Sequence, residues 1–256
     1  MLTQENYHSN EMNKKYMSVS QFKRFFFDCQ AQAMAELNKE VERVPSIDMK
    51  IGSYVDAHFS GTMELFKAKN PDMISGQGKT KGNLKSGFVK ADEVIKRIER
   101  DNLFMEYMDG EMQEVKTGFI EGVEFKAMFD VIHKDKIVDL KVMKDLKKMY
   151  KNGLYLDFIE FYGYDFQGAI YQAIHGKNLP FFIAVATKEV EPNIAILEIP
   201  QERLDYCLDL VQNSIEHIVM IKNGLIEPNR CECCNYCKST KELTKAVPYD
   251  EFFNNN

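Results

Sequence analysis

The chain has 256 residues, 45% of them hydrophobic and 28% charged, with a formal net charge of −6. That length buries a sizeable core and suits one large domain with small additions better than two complete ones, while the acidic balance excludes a protein that coats DNA non-specifically. No basic, apolar leader opens the chain and no run of eighteen apolar residues follows, so a soluble cytoplasmic protein with no membrane segment is expected.

In chain order, Ser18 or Ser20 can cap a helix through residues 21–40, and a second helix should cover Gly52 to Ala68. Asn70 to Gly87 is rich in Gly, Lys, Ser and Asn without periodicity and reads as a mobile basic loop. Phe88 to Met108 looks helical. Gln113 to Ile120 and then Phe125 to Val142 supply three antiparallel strands, followed by a linker rich in Tyr and Lys. A helix from Asp165 to Ile174 ends at Gly176, Pro180 to Thr187 and Ile194 to Ile199 are strands, and Gln201 to Asn223 is a long amphipathic helix. The tail from 229 to 256 is Cys-rich and then polar. The expectation is one α/β domain over 1–256, with a central mixed sheet flanked by helices.

The segment Phe125 to Val142 concentrates the chemistry. Side chains alternate along a strand, so Asp139 and Lys141 share a face. A two-residue turn at Lys134-Asp135 pairs His133 with Lys136 and, three steps on, Asp130 with Asp139. The opposite face then collects Phe125, Phe129 and Val131 with Val138, Leu140 and Val142, as a core-facing surface should. Like charges opposite each other across a strand pair repel, so two ionised acids there call for a cation, and Mg²⁺ fits an all-oxygen site. The competing reading is a solvated sheet face. Lys134, Lys136, Lys141, Lys144, Lys147, Lys148 and Lys151 lie close in sequence and favour phosphate binding, and Lys79, Lys81, Lys85 and Lys90 form a second basic group.

The order of helix, three-strand meander with Asp130…Asp139-Leu140-Lys141, helix and strand resembles the core of the PD-(D/E)xK nucleases, in particular the phage exonucleases related to RecE and the RecB nuclease domain. The resemblance implies a restriction-endonuclease-like core. Asp130 and Asp139 would be its acids and Lys141 its motif lysine. The stretch YDFQGAIYQAIHG matches a Q-x-x-x-Y helix through Gln167 and Tyr171, which are four apart and share one helical face. In IGSYVDAHFSG, Asp56 stands where these relatives have a His after a Gly, with His58 as the alternative. Asp56, Asp130, Asp139 and the Leu140 carbonyl would then hold Mg²⁺ or Mn²⁺, and Lys141 would stabilise charge on the phosphorane-like transition state, with Gln167 and Tyr171 positioning the substrate.

Four of six cysteines fall within RCECCNYC, at Cys231, Cys233, Cys234 and Cys237. A disulfide framework does not suit a cytoplasmic protein, which leaves free structural thiols or a metal site. Relatives in the superfamily hold a four-iron cluster on one N-terminal and three C-terminal cysteines, which implies Cys29, Cys231, Cys234 and Cys237 here; Zn²⁺ on the local thiols stays open.

Two functions follow. One is a Mg²⁺-dependent exonuclease that degrades linear duplex DNA from its ends to 5′-phosphate products, supplies an annealing recombinase in phage-type recombination, and assembles as a homo-oligomer like its ring-forming relatives. The other is a non-catalytic DNA- or protein-binding module that keeps the fold. The presence of both acids and the lysine favours the enzyme.

Overall fold

The computed structural model describes residues 1–151 and 153–249; the end of the polar tail, 250–256, lies outside the described residues. The chain opens with α1 (Asn10–Lys15) and the short β1 (Met17–Ser18). Ser18 caps the next helix by accepting the Gln21 N–H at 3.3 Å. The helix expected over 21–40 is two, α2 (Val19–Phe27) and α3 (Gln30–Leu37), parted where Asp28 and Cys29 turn extended. Arg24 bridges the break, reaching Asp28 at 2.8 Å and Glu36 at 2.5 Å.

The next expected helix is likewise two, α4 (Ile47–Phe59) and α5 (Met63–Lys69), separated at Gly61 with its φ of +72°. Ser46 caps α4 through the Met49 N–H, so the helix starts earlier than its apolar pattern suggested. The segment read as a mobile loop holds two single 3₁₀ turns, Pro71–Met73 and Gly78–Thr80, an Ile74–Leu84 bridge and a buried Met73. The third helical stretch divides into α6 (Ser86–Glu99) and α7 (Asn102–Met108), because the Asp101 carboxylate caps α7 at the Phe104 N–H.

Strands β2 (Glu111–Ile120), β3 (Val123–Ile132) and β4 (Ile137–Met143) follow. What reads as a linker folds into a separate hairpin, β5 (Met149–Lys151) and β6 (Leu154–Leu156), and a short helix, α8 (Phe158–Tyr162). Then come α9 (Tyr164–His175), closed by Gly176 at φ +75°, β7 (Phe181–Thr187), β8 (Ile194–Ile199), α10 (Gln201–Lys222) and α11 (Asn235–Ser239). Among the described residues no helix is long and apolar enough to cross a membrane.

The main sheet runs β1-β3-β4-β7-β8, with β2 on the other edge of β3. The β4–β7 pair is parallel and β7–β8 antiparallel, so the sheet is mixed, as expected. Both faces are buried. One carries Phe125, Phe129, Ile132 and Ile137 against α2, α9 and α10; the other carries Val131, Val138, Leu140 and Ala184 against α4, α6 and α7.

This corrects the single core-facing surface expected of the hairpin. Phe125 and Phe129 enter one cluster, whereas Val131, Val138, Leu140 and Val142 belong to the other. Alternation slips at Asp130. Opposite it, Gln113 adopts a φ of +54°, and the otherwise continuous β2–β3 register omits the Gln113–Asp130 pair.

Candidate active site

The β3–β4 turn has the expected form, with the His133 N–H donating to the Lys136 carbonyl at 2.9 Å. Pairing continues through Ile132–Ile137 and Val131–Val138, in the register that would put Asp130 opposite Asp139. There the strands part. The Asp130 carboxylate takes the Leu140 N–H at 2.9 Å in place of a ladder bond, and farther along the same edge β3 pairs with β1 instead. A fork therefore opens between β3 and β4, into which groups from both faces of the sheet reach.

Into the fork α9 projects Gln167, whose Nε2 donates to Asp139 Oδ1 at 2.6 Å. The helix can sit this close because Gly168 meets the Phe181 ring, where a Cβ would lie 2.5 Å from a ring carbon. Lys141 pairs with the other oxygen of Asp139 and donates to the Leu140 carbonyl at 3.3 Å. Apart from that ion pair, Asp139 Oδ2 is a buried oxygen with no hydrogen-bond donor. From the opposite side α4 supplies Asp56, held by Gln113 Nε2 at 2.8 Å. His58 turns away to an exposed pairing with Glu99 at 2.8 Å, so of the two alternatives it is Asp56 that joins the acids.

Gly52, Asp56, Asp130, Leu140, Lys141 and Gln167 line a cavity of about 720 Å³, with Asp139 buried behind its wall. The electrostatics are strained toward a cation. Burial first, then the charge of Asp139, push Asp130 well above the usual carboxylate range despite Lys141 and the Leu140 N–H. Burial raises Asp56 to about 6, with Lys141 opposing and Asp139 adding to the rise. Burial alone would lower Lys141, but Asp139 and Asp130 reverse this and hold its ammonium above the ordinary range. One fixed cation thus faces three carboxylates. The donors are all hard oxygens, and the Lys141 ammonium spans two of them, Asp139 and the Leu140 carbonyl, so the set fits Mg²⁺ or Mn²⁺.

Tyr171 sits deeper than an edge residue would. It is buried, and its hydroxyl donates to the Met128 carbonyl at 2.8 Å, a backbone group freed by the fork. Three contributors are not among the site residues expected from the sequence. Lys23 of α2 reaches the cavity, donates to the Tyr162 carbonyl at 2.8 Å and is lowered to about 8 by burial and then by Lys141. Tyr164 lies under the Lys141 ammonium, 5.0 Å from ring centroid to Nζ, and burial lifts its hydroxyl to about 12. It stands three residues before Gln167 on the same helix face, a spacing that could have revealed it. Gln113 is the third.

The basic rim also differs from expectation. Of the first lysine group Lys141 and Lys144 line the cavity, joined by Lys23, Arg43 and Lys188. Lys136 instead lies over the Tyr107 ring at 5.1 Å, and Lys90 of the second group pairs with Glu93.

A second constellation joins the chain ends. The sulfurs of Cys29, Cys231, Cys234 and Cys237 all lie within 4.8 Å of one another, the set the resemblance implied, while Cys233 is exposed and outside it. Cys29 Sγ is 3.5 Å from Cys237 Sγ. The Cys234 and Cys237 N–H groups donate to Cys231 and Cys234 sulfurs at 3.3 and 3.4 Å. Backbone N–H groups of Cys233 and Cys234 lower Cys231 to about 6, so a thiolate is available there.

A mixed sheet forked around two acids and a lysine, with a third acid from a helix, defines a PD-(D/E)xK-type nuclease core. A family model described as "PDDEXK-like domain of unknown function (DUF3799)" matches residues 18–240, and the chain belongs to this family. A crystallised Eubacterium rectale protein named "Putative exonuclease" is 41% identical, with a TM-score of 0.91 over 98% of each chain. No curated protein matches.

Proposed function

We propose that the chain is a Mg²⁺- or Mn²⁺-dependent DNA exonuclease that hydrolyses phosphodiester bonds from the ends of linear duplex DNA, leaving 5′-phosphates. The observation that carries this reading is the placement of the Lys141 ammonium between Asp139 and the Leu140 carbonyl, beside two further, half-buried acids. A bound divalent ion would supply Lewis-acid polarisation of the phosphate and a more acidic water. Asp56, Asp130, Asp139 and the Leu140 carbonyl would hold it. Gln167 fixes the Asp139 carboxylate, so that Oδ2 keeps its direction as charge changes around it.

Lys141 holds the attacking water and donates to the phosphoryl oxygen that gains charge, with Tyr164 beneath it restricting its motion. Attack in line with the 3′ oxygen breaks the P–O3′ bond and leaves the phosphate on the 5′ side. Lys23, Arg43 and Lys144 at the cavity rim suit the flanking phosphates, while Lys188 beside them is paired with Asp48. Service to an annealing recombinase in phage-type recombination, a cytoplasmic location and a homo-oligomeric assembly complete the proposal and rest on the resemblance to phage exonucleases.

The four thiols would form a metal centre that pins residues 231–237 to Cys29. Thiolates of one tetrahedral Zn²⁺, bonded at about 2.3 Å, stand roughly 3.8 Å apart. The observed spread within 4.8 Å suits that better than a [4Fe–4S] cube, which would hold the sulfurs farther apart. A brown protein absorbing near about 400 nm after anaerobic purification would instead assign iron.

End-labelled linear duplex and closed circular DNA, each with and without EDTA, test the main reading. Loss of label from linear DNA alone, stopped by EDTA, is expected; cutting of the circle makes it an endonuclease. Asp139→Asn should lower cleavage on the order of a thousandfold or more. Wild-type cleavage by that variant overturns the site.

A further inference from the structure

Lys144 and Tyr162 both line the cavity, and between them the chain leaves it to build the β5–β6 hairpin and α8. Five residues lie between Met143 and Met149, so the hairpin starts no more than roughly 20 Å from the cavity wall at Met143. Its inner face is anchored. Met149 packs on the main core, and Lys151 lies over the Phe27 and Phe161 rings at 5.6 and 5.5 Å.

The other face is not covered. Tyr150 and Tyr155 are directly paired, with ring centroids 5.3 Å apart, yet 65% and 71% exposed. The ring pair contributes a little to a two-stranded sheet this short, but scattered single apolar residues, not paired rings left open to water, are the ordinary state of a surface. The charge around them is one-sided. Residues 144–156 contain four lysines (Lys144, Lys147, Lys148, Lys151) and one acid, Asp145, in a chain whose net charge is −6. Asp145 already accepts the Lys147 N–H at 3.0 Å. Among the described residues, no carboxylate lies within ion-pair distance of any of these four ammoniums.

We propose that the β5–β6 hairpin is a stacking platform for unpaired nucleotides at the mouth of the cavity, with Tyr150 and Tyr155 taking the bases and Lys147 and Lys148 the phosphates. Paired exposed rings beside unpaired ammoniums match a single strand, which offers a π-face at every base and a charge at every linkage. A protein partner would need a matching acidic and apolar surface, whereas every single-stranded segment carries both features. The proposal rests on the nuclease reading only for which strand arrives there.

A fluorescent oligothymidylate of fifteen nucleotides, titrated by anisotropy in EDTA with the full chain, tests it. The Tyr150→Ala/Tyr155→Ala pair should bind on the order of tenfold to a hundredfold more weakly, and the Tyr150→Phe/Tyr155→Phe pair within about twofold of the parent. Lys147→Ala/Lys148→Ala should flatten the slope of log K against log salt by about 1.4. Unchanged binding by the alanine pair overturns the platform, as does equal weakening in the phenylalanine pair. A change in sedimenting mass of the alanine pair, with DNA binding intact, would also overturn it and give the face to a second copy of the chain. If Tyr-dependent binding persists in a protein that cleaves nothing, the platform stands and the nuclease reading falls.

Discussion

The acid cavity and the thiol group are both assembled from residues distant in sequence, but different forces hold them. Asp130, Asp139 and Lys141 sit on central strands with buried clusters on both faces, and the groups that aim the acids, Gln167 on Asp139 and Gln113 on Asp56, stand on a packed helix and a sheet strand. The thiols have almost no core of their own. Cys29, Ala31 and Cys237, with Cys234 and Tyr236 against them, form a small cluster, supplemented by hydrogen bonds such as Ala31 N–H to the Asn229 carbonyl at 3.1 Å. The comparison teaches that a metal in the first place would be an addition to a folded scaffold, whereas in the second it would be part of what folds the tail.

The largest effect should therefore come from the thiols. Cys234→Ser or exhaustive chelation is expected to release 229–249 to limited proteolysis and hydrogen exchange, while far-UV circular dichroism of the rest stays near the parent. EDTA concentrations that stop cleavage but leave the thiol-bound metal in place should change neither readout. Equal protection of the tail with and without thiol-bound metal would erase the contrast between the two sites.

A smaller effect is expected where the cavity's scaffold is crowded. At Gly168 a Cβ would stand 2.5 Å from the Phe181 ring and 2.9 Å from Leu204. Gly168→Val should cost about 1–3 kcal/mol in denaturant unfolding through overpacking. It should also weaken cleavage, because lifting α9 draws Gln167 from Asp139. Full activity in a protein destabilised by that amount would show that α9 does not aim the acid.

The same contrast explains what was legible in the sequence. The Asp130–Asp139 register could be read because turn, alternation and apolar partners are local, and the observed pairs Val131–Val138 and Ile132–Ile137 follow it. The slip at Asp130 could not, since it depends on a backbone turn at Gln113 in the neighbouring strand. Apolar periodicity makes three helices look too long because it runs on through breaks at Asp28–Cys29, Gly61 and Asp101, where caps and extended residues decide the boundary. Lys23 was invisible because its reach is set by α2 docking on α9, where Phe26 and Phe166 rings meet at 5.5 Å. The four-thiol set, Cys29 included, was implied by the resemblance, and only the fold sets Cys233 apart from it.

The finest test of the comparison is at Gln113, which holds a left-handed backbone conformation that a non-glycine residue adopts at a cost. Its side chain donates to Asp56, and its carbonyl accepts the Gln4 amide at 2.7 Å. Strain maintained on a paired strand beside buried acids is intelligible if it aims Asp56 across the fork. Gln113→Ala keeps the strand but removes that donor, so Mn²⁺ binding measured by calorimetry should weaken about tenfold, the low end for a group that orients a ligand. Gln113→Gly relieves the backbone as well, and should gain stability relative to Gln113→Ala while binding Mn²⁺ no better. If Gln113→Ala binds Mn²⁺ like the parent, Asp56 is placed by α4 alone and the strained residue serves the sheet, not the site.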